Sequence, residues 1–194
     1  MHPLLLHNIT RHIRLEPHED RLFTDMLEPA VYKNRQMVLQ EGDVCRHTIF
    51  VYGGCLRGFT TDKNGYEHVL SFAPPGWWMA DLYSLVSGRP GTLNIQALEK
   101  TEALLLPKNS QEQLYREVPK FERFFRILAE NALVNNQQRL LDNMSLSAEE
   151  RYDLFCKKYP TLIHCLPQKQ IASYIGVTPE FFSKMRARML KRKE

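Results

Sequence analysis

Residues 168–189 constrain the fold more than any other part of the chain. The sequence here predicts two helices joined by a tight turn, because Gly176 stands where the backbone needs a positive φ, which glycine tolerates without steric cost. Thr178 follows as a helix N-cap and Pro179 as the first helical residue. The side chains expected to be buried between the helices are Ile171, Ala172, Ile175, Val177, Phe182 and Met185. This pattern is typical of a helix-turn-helix.

The second helix of this motif would present polar side chains outward, at Glu180, Ser183, Lys184 and Arg188, where they can reach base edges and phosphates in a major groove. Residues 166–194 contain seven Lys and Arg against two Glu, a net charge of +5, whereas the whole chain carries +4. A basic end on a nearly neutral body is typical of phosphate binding. An ordinary helical hairpin with a solvated lysine-rich end is the alternative.

The composition excludes several classes of protein. With 194 residues, 43% of them apolar, the chain can bury a core in one or two domains. No apolar run approaches the ~18 residues of a membrane span, and Leu4-Leu5-Leu6 is too short for a secretory signal. We therefore expect a cytoplasmic protein with no membrane partner. The four cysteines match no zinc-finger spacing, and a Cys156/His164/Cys165 metal site is only a minor alternative.

Residues 31–107 have the pattern of an all-β region. Segments 48–52, 55–60 and 68–72 are rich in β-branched and aromatic residues and are separated by Gly, Pro and Asn. Asn64-Gly65 predicts a two-residue type I′ hairpin turn, because both positions of that turn need a positive φ. Closely spaced strands of this kind favour a sandwich or a barrel. The opening segment, to about Ala30, has helical spacing instead.

Three helices are expected between the β region and the helix-turn-helix. Asn109-Ser110 would cap a short helix that ends at Val118, and a longer helix follows at about 120–143. The capping box formed by Ser147 and Glu150 predicts a further helix through Lys158. The result is an α+β fold with a β domain and flanking helices at 1–118, a connecting helix at 119–144 and a helix-turn-helix domain at 145–194.

An apolar stripe runs along the predicted connecting helix. Its members are Phe121, Phe125, Leu128 and Ala132, at helical intervals of four, three and four residues. A stripe of this kind must be buried against something, and we interpret it as the seam of a homodimer. The alternative is that it covers the β domain of its own chain.

The order of these parts resembles the Crp/Fnr family of bacterial transcription regulators over nearly the whole chain. The resemblance rests on the motifs Gln40-Glu41-Gly42-Asp43, FVYGGCLR at 50–57, Pro75-Gly76 and LPQKQIASYIGVTPEFFSKMR from Leu166. It implies an N-terminal β-barrel or jelly roll of the cyclic-nucleotide-binding kind, a long dimer helix and a C-terminal helix-turn-helix. It also implies a homodimeric DNA-binding regulator, not an enzyme, whose partners are double-stranded DNA and RNA polymerase.

The resemblance also assigns residues to DNA binding. Glu180 and Lys184 fall where family members read bases, while Pro179 stands where many members have an arginine. The predicted DNA-binding set is Gln168, Lys169, Thr178, Glu180, Ser183, Lys184 and Arg188. The chain ends at Glu194, just past the second helix, so the hairpin wing that many members carry is expected to be missing.

Two stretches differ from the cyclic-nucleotide-binding members. Where those members have G-E-L and, about nine residues later, R-S-A, this chain has Ala80-Asp81-Leu82 and Gly91-Thr92-Leu93. Without the arginine, a phosphate anion loses its charge-assisted hydrogen bonds. We expect no cofactor and no binding of cyclic AMP, with an effector that is unknown or absent. The alternative is that the barrel binds a cyclic nucleotide or another small anion, with Asp81, Arg89 and Thr92 as the pocket.

Other sensing or catalytic chemistries lack their residues. An iron–sulfur cluster needs several closely spaced thiolates, and no histidine stands out as a haem ligand. A metal-dependent enzyme would have to use His47, Glu67 and His68, and we expect no catalysis. The bulky run Trp77-Trp78-Met79 fits either a ligand pocket or the core of the β domain.

Overall fold

The computed structural model describes residues 1–191. The chain forms two compact units: unit 1 contains Met1–Thr60 and Ser71–Asn131, and unit 2 contains Thr61–Leu70 together with the chain from Ala132 onward. This division differs from the three segments expected from the sequence. The long helix is shared between the two units, and the tip of a β hairpin groups with the C-terminal part of the chain.

The helices and strands follow the predicted order, with helices at both ends and strands between them. In chain order they are α1 (Pro3–Thr10), α2 (Pro17–Asp25), β1 (Glu28–Tyr32), β2 (Met37–Leu39), β3 (His47–Gly53), β4 (Leu56–Thr61), β5 (Glu67–Ala73), β6 (Trp78–Met79), α3 (Leu82–Ser87), β7 (Asn94–Ala97), β8 (Thr101–Pro107), α4 (Lys108–Glu117), α5 (Lys120–Ser145), α6 (Ala148–Lys158), a 3₁₀ turn (Leu162–His164), α7 (Gln168–Ile175) and α8 (Pro179–Lys191). Within the described part of the chain, no helix is long and apolar enough to cross a membrane.

The strands form two four-stranded sheets, in the orders β1-β8-β3-β6 and β2-β7-β4-β5. The pairs β1–β8, β3–β8, β3–β6, β2–β7 and β4–β7 are antiparallel. Apolar side chains from both sheets meet in one core cluster, formed by Ile49, Val51, Leu56, Ala73, Met79, Ile95, Ala97 and Ala103. This jelly-roll arrangement confirms the predicted α+β fold class.

A second core cluster in unit 1 joins the flanking helices to the sheet. It contains Leu5 and Ile9 of α1, Phe23 of α2, Phe50 of β3, Leu114 of α4 and Phe121 and Phe124 of α5, with other buried residues. The Trp78 ring packs against this cluster and lies 5.1 Å from the Phe50 ring, centre to centre. Trp78 and Met79 are therefore core residues, whereas Trp77 is 37% exposed.

The apolar stripe on α5 is buried against its own chain. Phe121 is fully buried in the second cluster, and Phe125 and Leu128 are half-buried against it. Phe121 therefore covers the β domain of its own chain, which is the alternative given above, and Phe125 and Leu128 are partly covered by the same cluster. Ala132 belongs to unit 2 and is half-buried. A dimer seam that uses the uncovered part of the stripe stays a prediction. Helical periodicity shows that a face is buried, but it does not identify the partner.

Two local predictions need correction. The β4–β5 hairpin turns at the expected place, but Asp62 N–H donates to the carbonyl of Tyr66 (3.0 Å), which leaves a three-residue loop. Only its last residue, Gly65, has a positive φ (82°), so the turn is not type I′. The Asp62 carboxylate accepts the N–H groups of Asn64 and Tyr66 and fixes the other backbone positions.

The helix α4 begins two residues earlier than a cap at Asn109 would place it. Its N-cap is Pro107, not Asn109. The capping box of α6 is confirmed, since the Ser147 hydroxyl accepts the Glu150 N–H and the Glu150 side chain accepts the Ser147 N–H.

Candidate nucleic-acid interface and effector pocket

The helix-turn-helix forms as the sequence predicts. Gly176 ends α7 with a φ of 73°, and its N–H donates to the carbonyl of Ser173 (3.1 Å). The next N–H, that of Val177, donates to the carbonyl of Ala172 (3.0 Å), so the last turn of α7 is closed by two hydrogen bonds. The Thr178 hydroxyl then accepts the N–H of Phe181 (3.2 Å) as the N-cap of α8.

The predicted contact between α7 and α8 is present. Ile171, Ala172, Ile175, Phe182 and Met185 are buried, and Val177 is half-buried. A group of aromatic side chains that no sequence pattern predicted completes this core. The rings of Phe155 in α6 and of Tyr159, its C-cap, lie 5.3 and 5.7 Å from the ring of Tyr174, and Tyr152 stacks edge-on with Phe182 at 5.2 Å.

The outward face of α8 carries the predicted polar set. Glu180, Ser183, Lys184 and Arg188 are all exposed. At 100° per residue, Glu180, Ser183 and Lys184 lie opposite the buried Phe182 and Met185, and Arg188 lies on the flank. Gln168, Lys169 and Thr178 are also exposed. The structure adds Phe181, 46% exposed beside this face, and of the basic end it describes Lys191 but not Arg192 or Lys193.

The stretch expected to form an effector pocket is filled by a buried aspartate. Asp81 is the N-cap of α3: its Oδ1 accepts the N–H of Ser84 (3.0 Å) and its Oδ2 accepts the N–H of Leu93 (3.3 Å). Gly91 lies directly against it, because a Cβ placed on Gly91 would overlap Asp81 Oδ2 and stand 2.9 Å from Asp81 Cγ. Gly91 is fixed in turn by hydrogen bonds with the backbone of Gly42 and Asp43, both 2.9 Å.

The other two predicted pocket residues do not join Asp81. The side chains of Arg89 and Thr92 are exposed, and the Arg89 carbonyl accepts the Ser84 hydroxyl (2.7 Å). None of the three predicted residues lines the cavity of about 470 Å³ found in unit 1. The prediction that Asp81, Arg89 and Thr92 form an effector pocket is therefore wrong.

That cavity lies between the end of β2, the turn before β3, and β7. Its apolar wall includes Val38, Leu39, Ile49, Ile95 and Leu105, and its polar groups come from Tyr32, Asp43, Cys45, Arg46 and His47. Burial raises the pKa of both the Tyr32 hydroxyl and the Cys45 thiol. Both groups are therefore neutral at physiological pH.

Comparison with known proteins supports the architecture. The chain matches the cyclic nucleotide-binding domain family over residues 29–118. It is 23% identical over 174 residues to the regulatory protein HlyX of Actinobacillus pleuropneumoniae (80% of this chain, 69% of HlyX) and 23% identical over 167 residues to the anaerobic regulatory protein of Pasteurella multocida (80% and 60%). The structure is similar to that of FixK2 from Bradyrhizobium japonicum, with a TM-score of 0.75, 18% identity and 86% of each chain covered.

Residues 29–118 form a cyclic nucleotide-binding domain, and the regulatory relatives and similar structures are transcription regulators of the Crp/Fnr family. The resemblance places the arginine that holds a cyclic nucleotide's phosphate at position 91, and this chain has Gly91 there. Glycine offers no side chain, and the Asp81 carboxylate fills the adjacent space. A phosphate anion would meet a carboxylate instead of a guanidinium, so the residues present do not fit a cyclic nucleotide.

We expect cyclic AMP not to bind this chain measurably. Isothermal titration calorimetry at 100 μM nucleotide should give no binding heat beyond dilution, because the phosphate gains no charge-assisted hydrogen bond at Gly91. A dissociation constant of about 10 μM or tighter, roughly −7 kcal/mol, would show that another group replaces the arginine.

Proposed function

We propose that the chain is a homodimeric, sequence-specific DNA-binding regulator of transcription that acts in the cytoplasm, with RNA polymerase as a partner. The observation that carries the proposal is the outward face of α8, where Glu180, Ser183 and Lys184 are exposed together on a helix held by a buried core. A helix of this kind fits the major groove, where base edges offer distinct patterns of donors and acceptors. The regulatory relatives support the proposal.

The homodimer is assigned to the outer face of α5. Leu133, Leu140 and Met144 are 68, 65 and 86% exposed and follow one another at seven and four residues, the spacing of a coiled-coil seam. At 100° per residue these three side chains lie on the side of α5 opposite to Phe121 and Leu128. Water-exposed apolar side chains at this spacing favour a second copy of the same helix as their cover.

We assign base reading and phosphate contact to different residues. Glu180 can accept from a cytosine amino group and Lys184 can donate to guanine. Gln168 and Lys169 lie at the N-terminal end of α7, where backbone N–H groups also favour a phosphate.

Glu180→Ala should relax the preference at one base pair in each half-site, by about 1–3 kcal/mol, while it leaves other positions unchanged. Lys169→Ala should weaken binding to all sequences alike and reduce the slope of log K against log salt by about 1. Fluorescence anisotropy on a panel of operator variants, taken from an in-vitro selection and measured at several salt concentrations, separates the two effects.

Glu112→Ala is the matched control, since this glutamate is exposed on α4. It should change neither the base preference nor the salt dependence of DNA binding. An unchanged base preference in Glu180→Ala, or an altered one in Lys169→Ala, would contradict the assignment. If the wild-type chain selects no DNA sequence at all, the proposed function itself fails.

A second candidate function is a response to a small molecule bound in the β domain. The observation that favours it is the cavity of about 470 Å³, whose lining combines apolar side chains with polar groups, among them Arg46 and His47. Ligand sites in proteins commonly combine an apolar cavity with a few polar groups.

A further inference from the structure

An arginine of the long helix joins three parts of unit 2. Arg139 lies on α5, and its Nη2 donates to the carbonyls of Val69 (3.0 Å) and Tyr174 (3.1 Å). Its Nη1 donates to the carbonyl of Leu70. The guanidinium also stacks on the Tyr174 ring, 4.3 Å from its centre. One side chain thus connects the long helix, the β4–β5 hairpin and the first helix of the helix-turn-helix.

A second arginine holds the same end of α7 from another helix. Arg151 of α6 donates from Nε to the carbonyl of Ile175 (2.8 Å) and from Nη1 to the carbonyl of Leu146 (2.8 Å), just past the end of α5. The last carbonyls of a helix have no partner within it and carry its negative dipole end, so cationic donors are favourable there. The final two carbonyls of α7, those of Tyr174 and Ile175, each receive a guanidinium.

A serine of α7 adds a third connection. The Ser173 hydroxyl donates to the carbonyl of Glu67 (2.7 Å) and accepts the N–H of Val69 (2.9 Å). These two groups belong to β5, the edge strand of its sheet, and an edge strand otherwise presents its backbone groups unpaired. Arg139, Arg151 and Ser173 together are called the α7 clamp below.

Arg139 of the clamp lies on the stretch of α5 that carries the proposed dimer seam. Leu140 of that seam is the next residue after Arg139. The two ends of α7 matter differently for DNA: its N-terminal end carries Lys169, and its C-terminal end is fixed to α5 and α6 through carbonyl hydrogen bonds. The position of the recognition helix relative to the dimer axis therefore depends on these bonds.

We propose that the α7 clamp makes DNA binding selective for the distance between the two half-sites. This inference rests on the proposed function, since it concerns a dimer on a two-fold operator. One base pair inserted between half-sites moves one of them by roughly 3.4 Å and turns it by roughly 35° about the DNA axis. A dimer whose two helix-turn-helix motifs are rigidly joined to the dimer helix cannot follow that change, whereas a loosely joined dimer can.

The test compares binding to the selected operator with binding to versions that are one or two base pairs longer or shorter between half-sites. The wild-type dimer should prefer its optimal spacing by at least about tenfold. Arg139→Met keeps the length and the apolar stem of the side chain but removes every donor, and it should reduce this preference to less than about threefold. Ser173→Ala is a milder change and should give an intermediate ratio of the affinity at the optimal spacing to the affinity at the altered spacings. The base preference within each half-site should stay unchanged in both variants.

Arg123→Met is the matched control, because Arg123 is an exposed arginine on the same helix but lies in unit 1; its spacing preference should equal that of the wild type. Circular dichroism confirms that each variant is folded, and sedimentation that it is dimeric. If Arg139→Met does not fold, the Ser173→Ala ratio alone decides the question. A folded variant that binds more weakly at every spacing, with the wild-type ratio kept, overturns the proposal, and so does a changed base preference. Absence of specific binding by the wild type is a failure of the proposed function instead.

Discussion

Leu140→Glu should convert the dimer into a monomer and lower specific DNA affinity on the order of a thousandfold or more, towards the non-specific level. Leu140 is 65% exposed on α5, so a glutamate there is tolerated in the monomer. In a seam between two helices the same carboxylate would be buried without a partner, which costs several kcal/mol. Sedimentation velocity measures the mass, and an operator with two half-sites measures the affinity.

Val134→Glu is the matched control for this change. Val134 is 64% exposed on the same helix but lies about 100° around it from Leu133, so the dimer should persist. A wild-type protein that sediments as a monomer, or a Leu140→Glu variant with the mass and DNA affinity of the wild type, would show that α5 does not dimerise through this face.

Gly91→Ala should lower the free energy of unfolding by about 3 kcal/mol. The new methyl group would overlap the buried Asp81 carboxylate; overpacking of this kind costs about 1–3 kcal/mol, and displacement of an N-cap costs about 1 kcal/mol more. Chemical denaturation followed by tryptophan fluorescence measures the change, since Trp77 and Trp78 lie in the same unit. By the same reasoning, Gly91→Arg cannot restore a phosphate site, because Asp81 occupies the space through which the side chain would leave the backbone.

Two further variants make this result specific. A Cβ on Gly53 would first meet the Glu102 side chain, at 3.1 Å. That side chain is 43% exposed and its carboxylate pairs with the exposed Lys100 at 3.8 Å, so it can shift into solvent, and Gly53→Ala should cost less than about 1 kcal/mol. In Asp81→Ser with Gly91→Ala, the shorter serine can still cap α3 and should recover part of the loss. Equal stability of Gly91→Ala and wild type would mean that Asp81 is not held in place.

The sequence predicted those features whose signals are local. Gly176, Thr178 and Pro179 determine the backbone of a turn by themselves, and the helix-turn-helix formed around them as expected. The stripe on α5 was a different kind of signal. Phe121 and Leu128 had to be buried, but periodicity carries no information about whether the cover is the same chain or a second one.

The features that could not be predicted depend on residues far apart in the sequence. Arg139 reaches backbone carbonyls at Val69 and Tyr174, and a backbone carbonyl has no identity that a sequence pattern could reveal. Only one part of the difference from a phosphate site could be predicted from the sequence. The absence of the arginine, with Gly91 in its place, was evident from the sequence. The role of Asp81 as a helix cap could not be predicted, because it depends on where the structure places the N–H groups of Ser84 and Leu93.

The grouping of the hairpin tip, Thr61–Leu70, with the C-terminal part of the chain limits how segments of this protein can be exchanged with those of another regulator. A DNA-binding module cut at a single point before Ala132 would leave behind the backbone groups of Glu67 and Val69 that the Ser173 hydroxyl contacts. A chimera that exchanges DNA-binding modules between regulators therefore has to exchange two separate segments together. The hydrogen bonds of Ser173 and Arg139 to the hairpin end on backbone groups, so the exchanged hairpin can carry other side chains as long as its backbone keeps the same path.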